Sequence, residues 1–243
     1  MKNNAELTEG IDAIGLALWL PQNKLLAITD LQLGYEEYLN QKGVFVPRTN
    51  YTEIMKQMEK LFEKLKPKKL LINGDLKHGF SGISEQEWRE TTKLIGFCQA
   101  KCEEVILVKG NHDSIIRPIA ETKKIKEVDY YFSEKEGVLF MHGHKKPEKK
   151  LLNALKPETI VIGHEHPAIT IRDGVKQEKY KCFLKGTYER KMLIVMPSFN
   201  FVAIGTDVSK EKLLSPLIKN IKEFECFAVE GKIYPMGKIK NLL

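Results

Sequence analysis

The chain has 243 residues, 42% of them hydrophobic and 29% charged, with a net charge of +7 at pH 7. That is room for one large α/β domain with a sizeable core, and a single domain over 1–243 is expected. No apolar run approaches the ~20 residues of a membrane span, and the stretch 14–20 is too short and too acidic upstream for a secretory signal. A cytoplasmic protein with no membrane partner is therefore expected. The excess of Lys and Arg suits an anionic partner such as nucleic acid, although a heavily charged surface gives the same count. Cys98, Cys102, Cys182 and Cys226 form no C-x-x-C pair, which disfavours a zinc ribbon or a thioredoxin-like site and predicts reduced, inert thiols.

The elements follow in chain order. Apolar runs at 14–20 and 25–29 flank Pro21-Gln22-Asn23 and read as strand, turn and strand. Ile54, Met58, Leu61, Phe62 and Leu65 recur at helical spacing, giving a helix over 50–66 that stops before Pro67. Residues 69–73 read as a buried strand. Ser84 with Glu87 three residues on is a capping box, opening a helix through Trp88, Ile95 and Cys102. A strand at 105–108, a short helix near 115–122, and strands at 128–132 and 138–141 come next. A helix over 148–155 is ended by Pro157, and 159–162 is another buried strand. From 168 to 204 strand-like runs alternate with turns such as Asp173-Gly174, and 226–229 with 232–234 reads as a closing hairpin around Glu230-Gly231.

Polar residues of metal-binding type follow the apolar strands. Asp30 closes 25–29, and Gly74-Asp75 closes 69–73. Gly110-Asn111-His112-Asp113 follows 105–108, His142-Gly143-His144 follows 138–141, and Gly163-His164-Glu165-His166 follows 159–162. Ligands gather beyond the carboxyl ends of strands in α/β sheets, so these five loops converge on one crevice. All six histidines lie in such loops: His78, His112, His142, His144, His164 and His166. Carboxylate and amide oxygens mixed with imidazoles suit Mn, Fe, Zn or similar divalent ions.

The ordered set Asp30-x-Gln32, Gly74-Asp75, Gly110-Asn111-His112-Asp113, His142-Gly143-His144 and Gly163-His164-x-His166 resembles the signature of the calcineurin-like metallophosphoesterases. The text Asp30-Leu31-Gln32-Leu33-Gly34-Tyr35-Glu36, Gly74-Asp75-Leu76-Lys77-His78 and Pro197-Ser198-Phe199-Asn200 is similar to the archaeal branch related to the SbcD repair nucleases. The resemblance implies an α/β fold, a four-layer αββα sandwich of two mixed β-sheets flanked by helices. It implies two divalent metal ions, with Mn the leading candidate and Mg, Fe or Zn as alternatives. Asp75 would bridge them; Asp30, Gln32 and His166 would complete one site, and Asn111, His142 and His164 the other. A water activated between ions about 3.5–4 Å apart would attack phosphorus in line. His112 would serve the leaving oxygen, with Asp113 orienting its ring.

Gln32 departs from the family pattern, which has His there; an amide oxygen is the weaker donor for late first-row metals. Lys77, His78, Arg117, His144, Lys145 and Lys146 follow ligand motifs closely and are expected on the rim, contacting substrate phosphates. No aromatic cluster interleaves with the rim lysines, so sequence-tolerant cleavage without base stacking is expected. The leading function is a phosphodiesterase acting as a nuclease on DNA or RNA, with DNA repair as its setting. The alternatives are a phosphoesterase on small or cyclic nucleotides, or a scaffold with an impaired first metal site. A homodimer is left open.

Overall fold

The computed structural model describes residues 4–79, 82–113, 116–174 and 176–242. Its first sheet runs β1 (Asn4–Thr8), β2 (Ile11–Ile14), β3 (Ala17–Leu20), β4 (Leu25–Ile28), β5 (Lys69–Asn73), β6 (Glu104–Val108), β7 (Lys126–Val128). β1 to β4 are antiparallel and β4 to β7 parallel. The parallel half needs crossovers, supplied by α1 (Tyr35–Gln41) and α2 (Asn50–Leu65), then α3 (Glu85–Lys101), then α4 (Arg117–Lys123).

In the second sheet β8 (Tyr131–Ser133) pairs with β9 (Val138–Phe140), which lies parallel to β10 (Thr159–Ile162) across the crossover α5 (Lys149–Leu155). β10 is parallel to β13 (Lys191–Val195), and the long β12 (Lys176–Tyr188) lies antiparallel to β13. β11 (Pro167–Asp173) joins β12 to β14 (Thr206–Asp207), while the hairpin of β15 (Glu225–Glu230) and β16 (Lys232–Lys238) also pairs with β12. Both sheets are mixed.

Side-chain alternation makes the layers. Leu25, Ala27, Leu71, Ile106 and Val108 point inward and meet Val138, Phe140, Val161, Phe183 and Ile194 of the second sheet in one buried cluster. The intervening Leu26, Ile28, Leu70, Ile72 and Leu107 point outward against Ile54, Met58 and Phe62 of α2 and Leu94, Ile95 and Cys98 of α3. Leu139, Ile160 and Ile162 face Leu152 of α5 and Leu217 on the other side. The order is helices, sheet, sheet, then helix and coil. Because β4, β5, β6 and β10 are covered on both faces, they read in the sequence as unbroken apolar runs. No helix among the described residues is long and apolar enough to cross a membrane.

The structure corrects the sequence in four places. The run 14–20 is not one strand, since the chain folds back at Gly15, whose φ of +56° is left-handed, and becomes the β2–β3 hairpin. The run 128–132 is also divided. β7 ends in the first sheet and β8 begins in the second, so Asp129-Tyr130 carries the chain between them. β1 and α1 were not foreseen. β1 is a polar edge strand burying only Leu7, and α1 starts on Gly34 with no side-chain cap. The helix expected near 115–122 runs Arg117–Lys123; residue 115 lies outside the described residues. The capping box at Ser84 and Glu87 is present, and the cysteines are unbridged, with Cys98 and Cys182 buried.

Candidate metal centre

The loops after β4 and β5 zip together beyond the sheet. Asp30 and Gln32 donate backbone N–H groups to the carbonyls of Gly74 (3.0 Å) and Asp75 (2.9 Å), and Leu33 to that of Leu76 (3.0 Å). Asn50, at the start of α2, and Asn200, after β13, both donate side-chain N–H groups to the carbonyl of Leu31. This frame holds non-glycine residues in left-handed backbone: Asp30 (φ 54°), Gln32 (47°), Asp75 (48°), His164 (63°) and His166 (48°). Each costs about 1–3 kcal/mol in isolation, and such strain concentrates where side chains must be aimed at one point. Glycine is needed at Gly110 and Gly163 for space, because a Cβ there would collide with the Asp75 and Asp30 carboxylates respectively.

Two groups of donor atoms result, each with its ligand atoms within 4.8 Å of one another: Asp30, Asp75 and His166, and Asp75, His142 and His164. Asp75 belongs to both. Oδ2 of Asp30 accepts from the Thr29 hydroxyl (2.9 Å) and the His164 backbone (2.9 Å). Among the described residues its buried Oδ1 has no hydrogen-bond partner and lies 3.2 Å from Nε2 of His166, likewise buried and without a hydrogen bond. Unsatisfied buried donors and acceptors are costly in a water-filled reference, and a carboxylate facing an imidazole this way is what a divalent cation satisfies.

His142 shows which of its nitrogens serves the cluster. Nδ1 donates to the Asn73 carbonyl (3.2 Å), so Nε2 faces Asn111 Oδ1 (3.0 Å) and Asp75 Oδ2 (3.4 Å). Metal-binding histidines are oriented in this manner by a backbone carbonyl on the far nitrogen. Burial alone would lower the His142 pKa, but the hydrogen bond to Asp75 and the charges of Asp30 and Asp75 raise it to about 9. Burial works against the Asp75 charge too, and the hydrogen bond and charge of His142, with that of His112, hold it at about 2. Burial and the His142 charge push His164 down to about 4, leaving it a neutral donor. The donor set thus fits divalent ions.

The backbone N–H of His112 donates to Asp75 Oδ1 (2.9 Å), and its Nε2 lies 3.7 Å from Asp75 Oδ2. Its Nδ1 is against the backbone carbonyl of His78. Asp113 does not orient that ring as expected. Its carboxylate, 1% exposed, accepts from the backbone N–H groups of Leu76 (3.1 Å) and Gly110 (3.0 Å), tying the β5 and β6 loops together. Burial, then the Asp75 charge, push Asp113 up to about 7.

The rim expectation fails for Lys77. It is 0% exposed and its ammonium donates to the Gly79 carbonyl, because the Leu33–Lys77 bridge turns position 77 inward. Lys145 and Lys146 are exposed, and Lys145 shares a cavity of about 210 Å³ with His142 and His144. The ring of His144 lies 5.3 Å from that of His142, outside both donor groups. Arg117 is exposed at the start of α4 and paired with Glu121 (2.8 Å). No described contact joins it to the cluster. His78 packs against Tyr35 and Tyr38, with both ring centroids at 4.7 Å, and reaches His112 at 5.4 Å. So an aromatic group does border the site. Sequence reasoning missed it, and also missed Asn73 and Glu87, whose roles arise from buried polar contacts rather than from motif spacing.

Fold and cluster together describe a two-sheet sandwich that presents carboxylates and imidazoles at its strand ends for divalent metal. A family model for the calcineurin-like phosphoesterases matches residues 24–187. The chain belongs to that family and is a metallophosphoesterase, a hydrolase of phosphoester bonds. Among solved structures it is similar to Pseudomonas putida nuclease MPE, at 15% identity and a TM-score of 0.65, over 93% of this chain and 94% of that one. It is also similar to Yfce, a phosphoesterase from E. coli (14% identity, TM-score 0.40, 85% and 87% covered), and to vacuolar protein sorting 29 from Cryptosporidium parvum (16%, 0.38, 85% and 85%). At 15% identity the likeness to the nuclease is one of fold. No curated protein sequence matches.

Proposed function

We propose that this chain is a two-metal phosphodiesterase cleaving nucleic acid, a single cytoplasmic domain of the branch related to the SbcD repair nucleases. The observation that carries the reading is the sharing of Asp75 between two donor groups. Asp30 and His166, with Gln32 beside them, serve one ion, and Asn111, His142 and His164 the other. Divalent ions held there, Mn before Mg, Fe or Zn, would supply an activated water and neutralise charge on the phosphoryl oxygens.

The remaining steps fall to the chain's own residues. Asn73 keeps Nε2 of His142 facing the cluster. The His78 carbonyl holds Nδ1 of His112, so its Nε2 is turned to the cluster, 3.7 Å from Asp75 Oδ2, where it would hand a proton to the leaving oxygen. Lys145 and Lys146 contact backbone phosphates without reading sequence. The nucleic-acid substrate is supported by the net charge of +7 and by the likeness in fold to a nuclease. The burial of Lys77 thins the cationic rim and favours, as the second reading, small nucleotide esters.

The test is hydrolysis of bis-p-nitrophenyl phosphate and of single-stranded oligonucleotides after EDTA treatment and Mn restoration. Metal-dependent cleavage of both is expected. Cleavage of the small ester alone moves the substrate to small nucleotides, and cleavage of neither ends the phosphodiesterase reading.

A further inference from the structure

A cleft of about 470 Å³ lies beside the cluster, lined by Tyr38, Gln41, His78, Ser84, Glu37 and Glu87 among others. Tyr38 and His78 form its aromatic wall. The Tyr38 and His78 rings are 4.7 Å apart at 56°, and the Tyr35 ring also lies 4.7 Å from that of His78. His78 in turn lies 5.4 Å from His112, the residue nearest the bridging carboxylate on this side. Tyr38 is 43% exposed, with the Lys42 ammonium 5.8 Å from its ring centroid, so part of the ring remains open to a planar partner.

The floor is built rather than incidental. The buried Glu87 carboxylate accepts from the backbone N–H groups of His78 (3.1 Å), Gly79 (2.6 Å) and Ser84 (2.8 Å), clamping the loop that carries His78 onto α3. Ser84 hydroxyl donates to Glu37 (2.7 Å), fixing α1 against the same loop. Burial and the His112 charge lower His78 to about 4, so its ring is neutral. With two carboxylates and an aromatic wall, the cleft suits a flat, uncharged heterocycle with amino-group donors. Stacking on such rings is tolerant of base identity.

We infer that this cleft is a nucleobase subsite, in which Tyr38, braced by His78, stacks the base of the nucleotide next to the cleaved phosphate. This rests on the phosphodiesterase reading and specifies its substrate as a nucleotide rather than a generic ester. Gln41, exposed at the end of α1, offers an amide to the base edge.

The experiment uses Mn-loaded protein and an oligonucleotide carrying 2-aminopurine, whose fluorescence is quenched by stacking. On rapid mixing the wild type should quench it. Tyr38→Ala should lose the quench and raise KM about 5- to 100-fold, and Tyr38→Trp should restore both. Unchanged Mn content and Tm in Tyr38→Ala separate stacking from a structural role. Wild-type quench and KM in Tyr38→Ala would overturn the subsite. If the wild type hydrolyses bis-p-nitrophenyl phosphate but no oligonucleotide, the nucleic-acid reading fails. The subsite is then decided by titration with 2-aminopurine ribonucleoside 5′-monophosphate. A quench lost in Tyr38→Ala upholds it, and an equal quench in both proteins, or none in the wild type, overturns it.

Discussion

Nδ1 of His142 lies 3.2 Å from the carbonyl oxygen of Asn73, and this contact commits the opposite nitrogen to Asp75 and Asn111. In the metal-free protein the ring is an imidazolium whose pKa, raised from 6.5 to about 9, exceeds that of the unfolded chain. Its contribution to stability is therefore fully present below about pH 6.5 and is lost as pH rises through about 9. Asp75 and Asn111 face Nε2, Asp30 lies 3.7 Å from Nδ1, and the neutral His164 is the ring's neighbour. Thermal unfolding of EDTA-treated protein should show Tm falling between pH 6.5 and 9.5. His142→Asn should flatten that fall, and an unchanged slope would place the proton elsewhere.

His112 is held at both ends, by Asp75 through its backbone and by the His78 carbonyl through its ring. His112→Ala should lower kcat on oligonucleotides by about a hundredfold or more while Mn content stays near the wild-type value. The loss should be smaller for bis-p-nitrophenyl phosphate, because p-nitrophenolate leaves without a proton. Equal losses on the two substrates would remove His112 from leaving-group protonation.

Lys77 and the pair Lys145 and Lys146 separate structure from substrate binding. Lys77→Ala should destabilise the fold by roughly 2 kcal/mol or more, because it leaves a cavity and an unpaired Gly79 carbonyl. The double variant Lys145→Ala, Lys146→Ala should leave Tm unchanged, weaken oligonucleotide binding and reduce its salt dependence. Hydrolysis of bis-p-nitrophenyl phosphate should persist. Loss of both activities together would take these lysines out of the substrate path.

Much of this was legible in the sequence, for a physical reason. Strands covered on both faces must be apolar throughout, so the polar residue ending each of β4, β5, β6, β9 and β10 stands out, and it lies where ligands gather. The directions in which side chains point were not legible. Position 77 follows Asp75 closely in sequence, yet the bridge to Leu33 turns it inward. Asp113 adjoins His112 but spends its carboxylate on two backbone donors. The aromatic wall joins Tyr35 and Tyr38 to His78, residues separated by a whole crossover that only the fold brings together.

Gln32 sits in left-handed backbone with its N–H bound to the Asp75 carbonyl, beside the group of Asp30, Asp75 and His166. Gln32→His should tighten that group's hold on Mn and raise activity at low Mn, since imidazole is the better donor. An unchanged Mn titration would put position 32 outside the ligand set.

The central claim is that one carboxylate serves two ions, and Mn titration with metal analysis of wild type and Asp75→Asn tests it most directly. Wild-type protein should hold two Mn per chain, and Asp75→Asn should lose affinity at both sites while remaining folded. A wild type that holds no Mn after reconstitution, or an Asp75→Asn variant that still binds two ions with wild-type affinity, would contradict it.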